Sequence, residues 1–287
     1  MKKMNLRKLA LLVIFALGFT ACEKNEVNNN SLNDNNDFTD EIYNAKSTGN
    51  VIDAVYRGNL VQLLEIEDDK YLYDGDVVLE RSDFLLPNET ATEKGVYGGG
   101  TWPNRTVRWK YASGVSSSLK SKWVSAKNTW TNELGFTFVE ITGTSGDYIL
   151  VQQNNSGSAY STSIGRRGGQ QIISVDPASF STGSVIHEIG HAVGLIHEQK
   201  RPDRDTYITV NYSNIRPNWR SQYDKCSGCT SNGTFDFNSI MLYGARASSS
   251  VVYNTSIPAM TKKDGSTWTS QRSYLSTGDK AAINAKY

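Results

Sequence analysis

The chain contains only three histidines, and all three fall within the eleven residues from His187 to His197, in the segment VIHEIGHAVGLIHE. His187 and His191 are four apart, so on a helix both imidazoles project from one face toward a single point. Glu188 follows the first histidine, where it can face the same point and take a proton from an attacking water, as in H-E-x-x-H metal sites. Gly194 permits a left-handed helix end, after which the chain doubles back and His197 supplies a third nitrogen. Three imidazoles leave one coordination position open, the pattern of a catalytic rather than a structural metal site. One Zn2+ ion suits that donor set best. Buried histidines scattered through a core would not gather at this spacing.

The rest of the composition narrows the alternatives. Thirty basic and twenty-nine acidic residues give a net charge of +1, which argues against nucleic acid or an anionic membrane as the partner. MKKMNLRK followed by LALLVIFALGF joins a cationic start to an apolar run too short for a stable span, which reads as an export signal over residues 1–21. The run closes at Thr20-Ala21-Cys22, similar to a bacterial lipobox with Phe19 in place of the usual leucine. Lipidation at Cys22 would anchor the exported protein at the outer membrane or cell surface. Cys226 and Cys229, in Cys-Ser-Gly-Cys, are expected to pair with each other in an oxidising compartment, since no second C-x-x-C exists to complete a structural zinc site.

Along the chain, NEVNNNSLNDNND is too poor in apolar residues to order itself and reads as a linker. Residues 41–86 regain apolar character in VIDAVYRGNLVQLLEIEDDKYLY and predict a small helical and extended segment rather than a domain. PNETATEKGVYGGGTWP is a glycine-rich break where proteases cut, with cleavage expected between Ala91 and Gly100. Beyond it TVRWKY, FTFVEI, DYILVQQ and QQIISVD predict strands, and SSLKSKWVSAKNTWTNEL predicts a helix with Leu119, Trp123, Ala126, Trp130 and Leu134 on one face. A second helix is expected from about Phe180, and another in LSTGDKAAINAKY. The chain is therefore read as a full-length precursor: signal 1–21, prosegment 22–94, catalytic domain 95–287.

HEIGHAVGLIHEQKRPDRDTYI resembles the astacin family of metzincin peptidases, and Ser239-Ile240-Met241-Leu242-Tyr243 resembles that family's Met-turn. Trp102-Pro103, SIGRRGGQQIISV and QRSYLSTGDKAAINAKY extend the resemblance over roughly 95–287. It implies an α+β fold in which an N-terminal subdomain, with a twisted mixed sheet and two long helices, faces an irregular C-terminal subdomain across a cleft. It also implies that Met241 floors the metal site, that Tyr243 donates to the transition-state oxyanion, and that Glu198 receives the mature N-terminus. Leu242 stands where the family commonly has histidine, and the family's two long-range disulfides are missing. Tyr207, Tyr212 and Trp219 are expected to pack beneath the cleft rather than line it.

Two residues are candidates for silencing such an enzyme. Tyr73-Asp74-Gly75-Asp76 resembles the family's prosegment motif, which nominates Asp76 as the carboxylate replacing the catalytic water; an ordinary Asp-Gly turn is the plainer alternative. Cys22 is the rival, because a thiolate is a strong zinc ligand, but acylation would consume that thiol. The expected function is a secreted zinc endopeptidase, monomeric, with protein substrates, its own prosegment as inhibitor and a separate activating protease. A noncatalytic surface lipoprotein that binds on the same scaffold is the competing class.

Overall fold

A computed structural model describes residues 47–67, 69–89 and 100–287. The export segment, Cys22, the Asn-rich linker and the cleavage segment up to Gly99 lie outside the described residues. The chain divides into two units, 1–33 and 34–287, and every described residue belongs to the second.

The N-terminal part departs from expectation. Instead of mixed helix and extended chain it is an antiparallel meander: β1 (Ser47–Tyr56), β2 (Asn59–Ile66), β3 (Lys70–Tyr73) and β4 (Val77–Glu80). The reason lies at Arg57-Gly58, where both residues have positive φ (54° and 79°) and Tyr56 pairs with Asn59. That two-residue turn matches the strand twist and fixes a hairpin. The only helical turn among the described residues of this part is the short 3-10 segment Arg81–Asp83.

Nine strands of the described residues form one mixed sheet in the order β1-β2-β3-β4-β8-β9-β7-β5-β6. The strands beyond the meander are β5 (Thr106–Tyr111), β6 (Thr137–Glu140), β7 (Tyr148–Gln153), β8 (Ala159–Ser161) and β9 (Gln170–Val175). β5, β6, β7 and β9 run parallel, β8 is antiparallel to β9, and β4 joins β8 in parallel. β8 would therefore be a sheet edge if the meander were absent. β10 (Ile208–Val210) and β11 (Met260–Lys262) form a separate pair within an otherwise loop-rich C-terminal part.

Helix α1 (Ser117–Leu134) starts at Ser116, whose side chain accepts from the Leu119 N–H, and buries the five residues expected from their spacing. Its Trp130 donates from Nε1 to the Ile186 carbonyl at 3.1 Å, tying it to α2 (Thr182–Val193). Trp102 donates likewise to the Ala192 carbonyl at 2.9 Å. Each indole thus contributes apolar burial and satisfies its one donor. The resulting core of α1, α2 and the parallel strands holds α2 rigidly from behind. α3 (Thr277–Lys286) closes the C-terminus with a capping box between Ser276 and Asp279.

Candidate metal centre

α2 begins at Ser181, whose hydroxyl accepts from Gly183 and Ser184, and ends at Gly194 in the left-handed region (φ 113°). His187, Glu188 and His191 lie on this helix, His197 follows the turn, and all four are fully buried. Asp76, at the mouth of β4, is equally buried and completes a group whose ligand atoms all lie within 4.8 Å of one another.

The contacts fix which nitrogen of each imidazole faces inward. His187 Nδ1 lies 2.8 Å from the Ile240 carbonyl, and His191 Nδ1 lies 2.9 Å from the Leu195 carbonyl. His197 Nδ1 lies 3.0 Å from Asp74 Oδ1. The Ile240 and Leu195 carbonyls are acceptors, so His187 and His191 carry their protons on Nδ1 and present lone pairs from Nε2, while the Asp74 carboxylate faces His197 Nδ1 at ion-pair distance. The Nε2 atoms converge: His187 Nε2 and His197 Nε2 are 3.2 Å apart. Asp76 Oδ2 sits 3.0 Å from His187 Nε2 and 3.2 Å from His197 Nε2, and its Oδ1 sits 3.0 Å from His191 Nε2.

Ligands at about 2.0–2.1 Å around a tetrahedral zinc ion are about 3.3 Å from one another. The spacings of 3.0 to 3.2 Å among His187, His197 and Asp76 and between His191 and Asp76 are close to those of such a shell, and a buried carboxylate among three imidazoles calls for a cation. In the metal-free chain a proton fills part of that need. Burial opposes it, but the Asp74 and Asp76 carboxylates raise His197 to about 10. Burial likewise works against the Asp76 charge, yet His197 and His191 beside it hold that carboxyl well below its usual range.

The turn beneath the histidines is anchored from α3. Asp279 accepts from the Ser239 hydroxyl at 2.6 Å and from the Ile240 N–H at 3.0 Å, and this aims the Ile240 carbonyl at His187. Met241 is buried under the helix, where a Cβ on Gly190 would come within 2.8 Å of its Sδ. Tyr243 packs its ring against that of His197, with centroids 4.3 Å apart and planes tilted by 59°, and donates from its hydroxyl to the Asp74 carbonyl at 3.0 Å. Glu198, the residue after His197, is not one of the converging group. It accepts from the Asp236 N–H at 2.8 Å, pairs with Arg201 at 3.0 Å, and lines a cavity of about 500 Å³ with Ser239, Met241 and Lys286. Burial raises Glu198 to about 7, against the pull of the Asp236 N–H and Arg201.

Cys226 and Cys229 are joined in a disulfide. Trp219 is buried, Tyr207 is half-buried and stacks on Phe235, and the half-buried Tyr212 donates from its hydroxyl to Asp224 at 3.0 Å. Asp74, Asp279, Lys200 and Gln222 are residues whose part here sequence reasoning missed. The Gln222 side-chain oxygen accepts from the Gly75 N–H at 2.8 Å, and Lys200 Nζ lies 3.9 Å from Asp74 Oδ1. Only Asp279 had a legible cue, as the fourth residue of a Ser-Thr-Gly-Asp capping box.

Residues 96–287 match the family model described as Astacin, a peptidase family. Zinc metalloproteinase nas-14 of Caenorhabditis elegans is 29% identical over 81% of this chain and 47% of its own length. Flavastacin of Elizabethkingia meningoseptica is 33% identical over 65% of this chain and 42% of its own length. The chain thus spans less than half of either relative. Among solved structures, high choriolytic enzyme 1, a hatching-enzyme zinc protease of Oryzias latipes, aligns at a TM-score of 0.58 with 26% identity, covering 68% of this chain and 97% of that one.

Proposed function

This chain belongs to the astacin family, and on that premise we propose that it is a zinc-dependent endopeptidase made as a latent precursor. The observation that carries the reading is the convergence of three histidine Nε2 atoms on one point, with the Asp76 carboxylate brought to the same point by the N-terminal meander. His187, His191 and His197 would hold the ion, and Asp76 would complete its shell before activation. Zinc in such a shell supplies Lewis acidity, polarising a peptide carbonyl and lowering the pKa of water.

The remaining work falls to the chain. Glu188, beside His187, takes the proton of the attacking water and returns it to the leaving amine. Tyr243 releases the Asp74 carbonyl once the prosegment is gone and turns its hydroxyl to the developing oxyanion. The edge of β8, vacated by β4, then pairs with the backbone of a protein or peptide substrate. The cavity beside Glu198 takes the new N-terminus, whose ammonium pairs with the Glu198 carboxylate.

Export is part of the same proposal, supported by the cationic start and apolar run of the first 21 residues, with Cys22 acylated at the cell surface. The prosegment is 22–94, and a separate protease cuts between Ala91 and Gly100. The test pairs N-terminal sequencing and intact mass with a casein assay on the natively exported protein and its Glu188→Ala variant. The wild type should be shortened to near residue 95, active and chelator-sensitive, and the variant inert. A wild type that stays inert after limited proteolysis contradicts the proposal.

A further inference from the structure

The three candidate ligands differ in what stands behind them. His187 and His191 rest their Nδ1 atoms on the carbonyls of Ile240 and Leu195, which belong to the same part of the chain as the histidines. His197 rests on a side chain carried by the meander: Asp74 Oδ1 lies 3.0 Å from its Nδ1, and the His197 backbone N–H donates to Asp74 Oδ2 at 3.1 Å. Asp74 is fully buried and held at φ 55°, with the Lys200 ammonium 3.9 Å from Oδ1. A carboxylate behind an imidazole fixes its tautomer and makes it a stronger donor to a metal than a carbonyl does.

We propose that Asp74 is a positioning residue for His197 that strengthens metal retention in the precursor, so that the prosegment supports the site at two depths. Asp76 occupies the ion's own shell, and Asp74 stands behind one of its ligands. This rests on the zinc-precursor reading above. When the prosegment leaves, His197 loses its anionic partner together with the Asp76 ligand, and the activated enzyme yields its metal to chelators more readily than the precursor does.

The experiment uses the zinc-loaded full-length chain as wild type, Asp74→Asn and Asp76→Asn. Asparagine tolerates the left-handed backbone and keeps an acceptor for the His197 N–H, while it replaces the anionic oxygen facing His197 Nδ1 with an amide donor, so it removes the charge and that acceptor together. Zinc affinity is read by competition with a chromophoric chelator, and histidine protonation by proton–nitrogen NMR. Asp74→Asn is expected to bind zinc about 10- to 100-fold more weakly. The wild type should show an exchange-protected His197 Nδ1 proton whose resonance moves in that variant. Loss of affinity in Asp76→Asn with none in Asp74→Asn would overturn the inference and leave the zinc reading standing. If Asp74→Asn does not fold, the wild-type spectrum decides, because a His197 lacking its Nδ1 proton also overturns it. A wild type that takes up no zinc overturns both.

Discussion

Tyr243 meets the N-terminal meander at Gly75: its hydroxyl donates to the preceding Asp74 carbonyl at 3.0 Å, and a Cβ on Gly75 would overlap that hydroxyl oxygen and lie 2.7 Å from Cζ. Gly75 also has φ 81°, a conformation other residues rarely adopt. Because both objections act at one position, Gly75→Ala is expected to lift the motif out of the cleft, at a local cost of about 2 kcal/mol or more. Limited proteolysis of the full chain should then nick residues 70–89 faster than in wild type. Unchanged protection would show that the motif does not depend on this contact.

Glu188→Gln keeps the size of the side chain and removes its basicity. Proton transfer by a positioned group contributes about 10²- to 10⁴-fold to rate, so kcat should fall by that factor while zinc content stays at one ion per chain. Loss of zinc along with activity would assign Glu188 to holding the site instead.

Asp279 ties α3 to the turn under the histidines through the Ser239 hydroxyl, the Ile240 N–H and its own cap at Ser276. Asp279→Ala strands buried donors and removes a capping box, and should lower stability by about 2–4 kcal/mol. Urea unfolding monitored by circular dichroism measures it. A change under about 1 kcal/mol would mean the turn is held by packing alone.

Asp176 gives a pH signature. Hydrogen bonds from the Ala178 N–H and, against the opposing effect of burial, from the Gly157 N–H hold its carboxyl below the usual range. A depressed native pKa contributes stability that is present above the unfolded-state pKa and lost as pH falls through the native value. Asp176→Asn should therefore melt lower than wild type at neutral pH, and the gap should close on acidification through that window. A gap that persists in acid would assign the effect to shape rather than charge.

Much of this site was legible because its information is local. Two of the candidate ligands and the proposed base, His187, His191 and Glu188, share one helix, the third candidate ligand follows a glycine stop, and Leu119, Trp123 and Trp130 recur with helical period. The meander was harder: VIDAVYRGNLVQLLEI carries apolar residues on neighbouring as well as alternate positions, and its strand character depends on a positive-φ Arg57 that favours no particular reading in sequence. Asp74 was hidden for another reason. An aspartate before glycine looks like any turn residue, and its partner lies 123 positions away at His197. Asp76 could be nominated from a motif, but its contacts with three histidines exist only once β4 has paired with β8.

The central claim, that three histidines and a prosegment carboxylate enclose one zinc ion, is tested most directly by zinc-edge X-ray absorption on the full-length precursor. The account predicts one zinc per chain with three imidazole nitrogens at about 2.0–2.1 Å, one carboxylate oxygen at about 2.0–2.2 Å and no sulfur. A sulfur scatterer at about 2.3 Å would place Cys22 on the metal in place of Asp76 and contradict it.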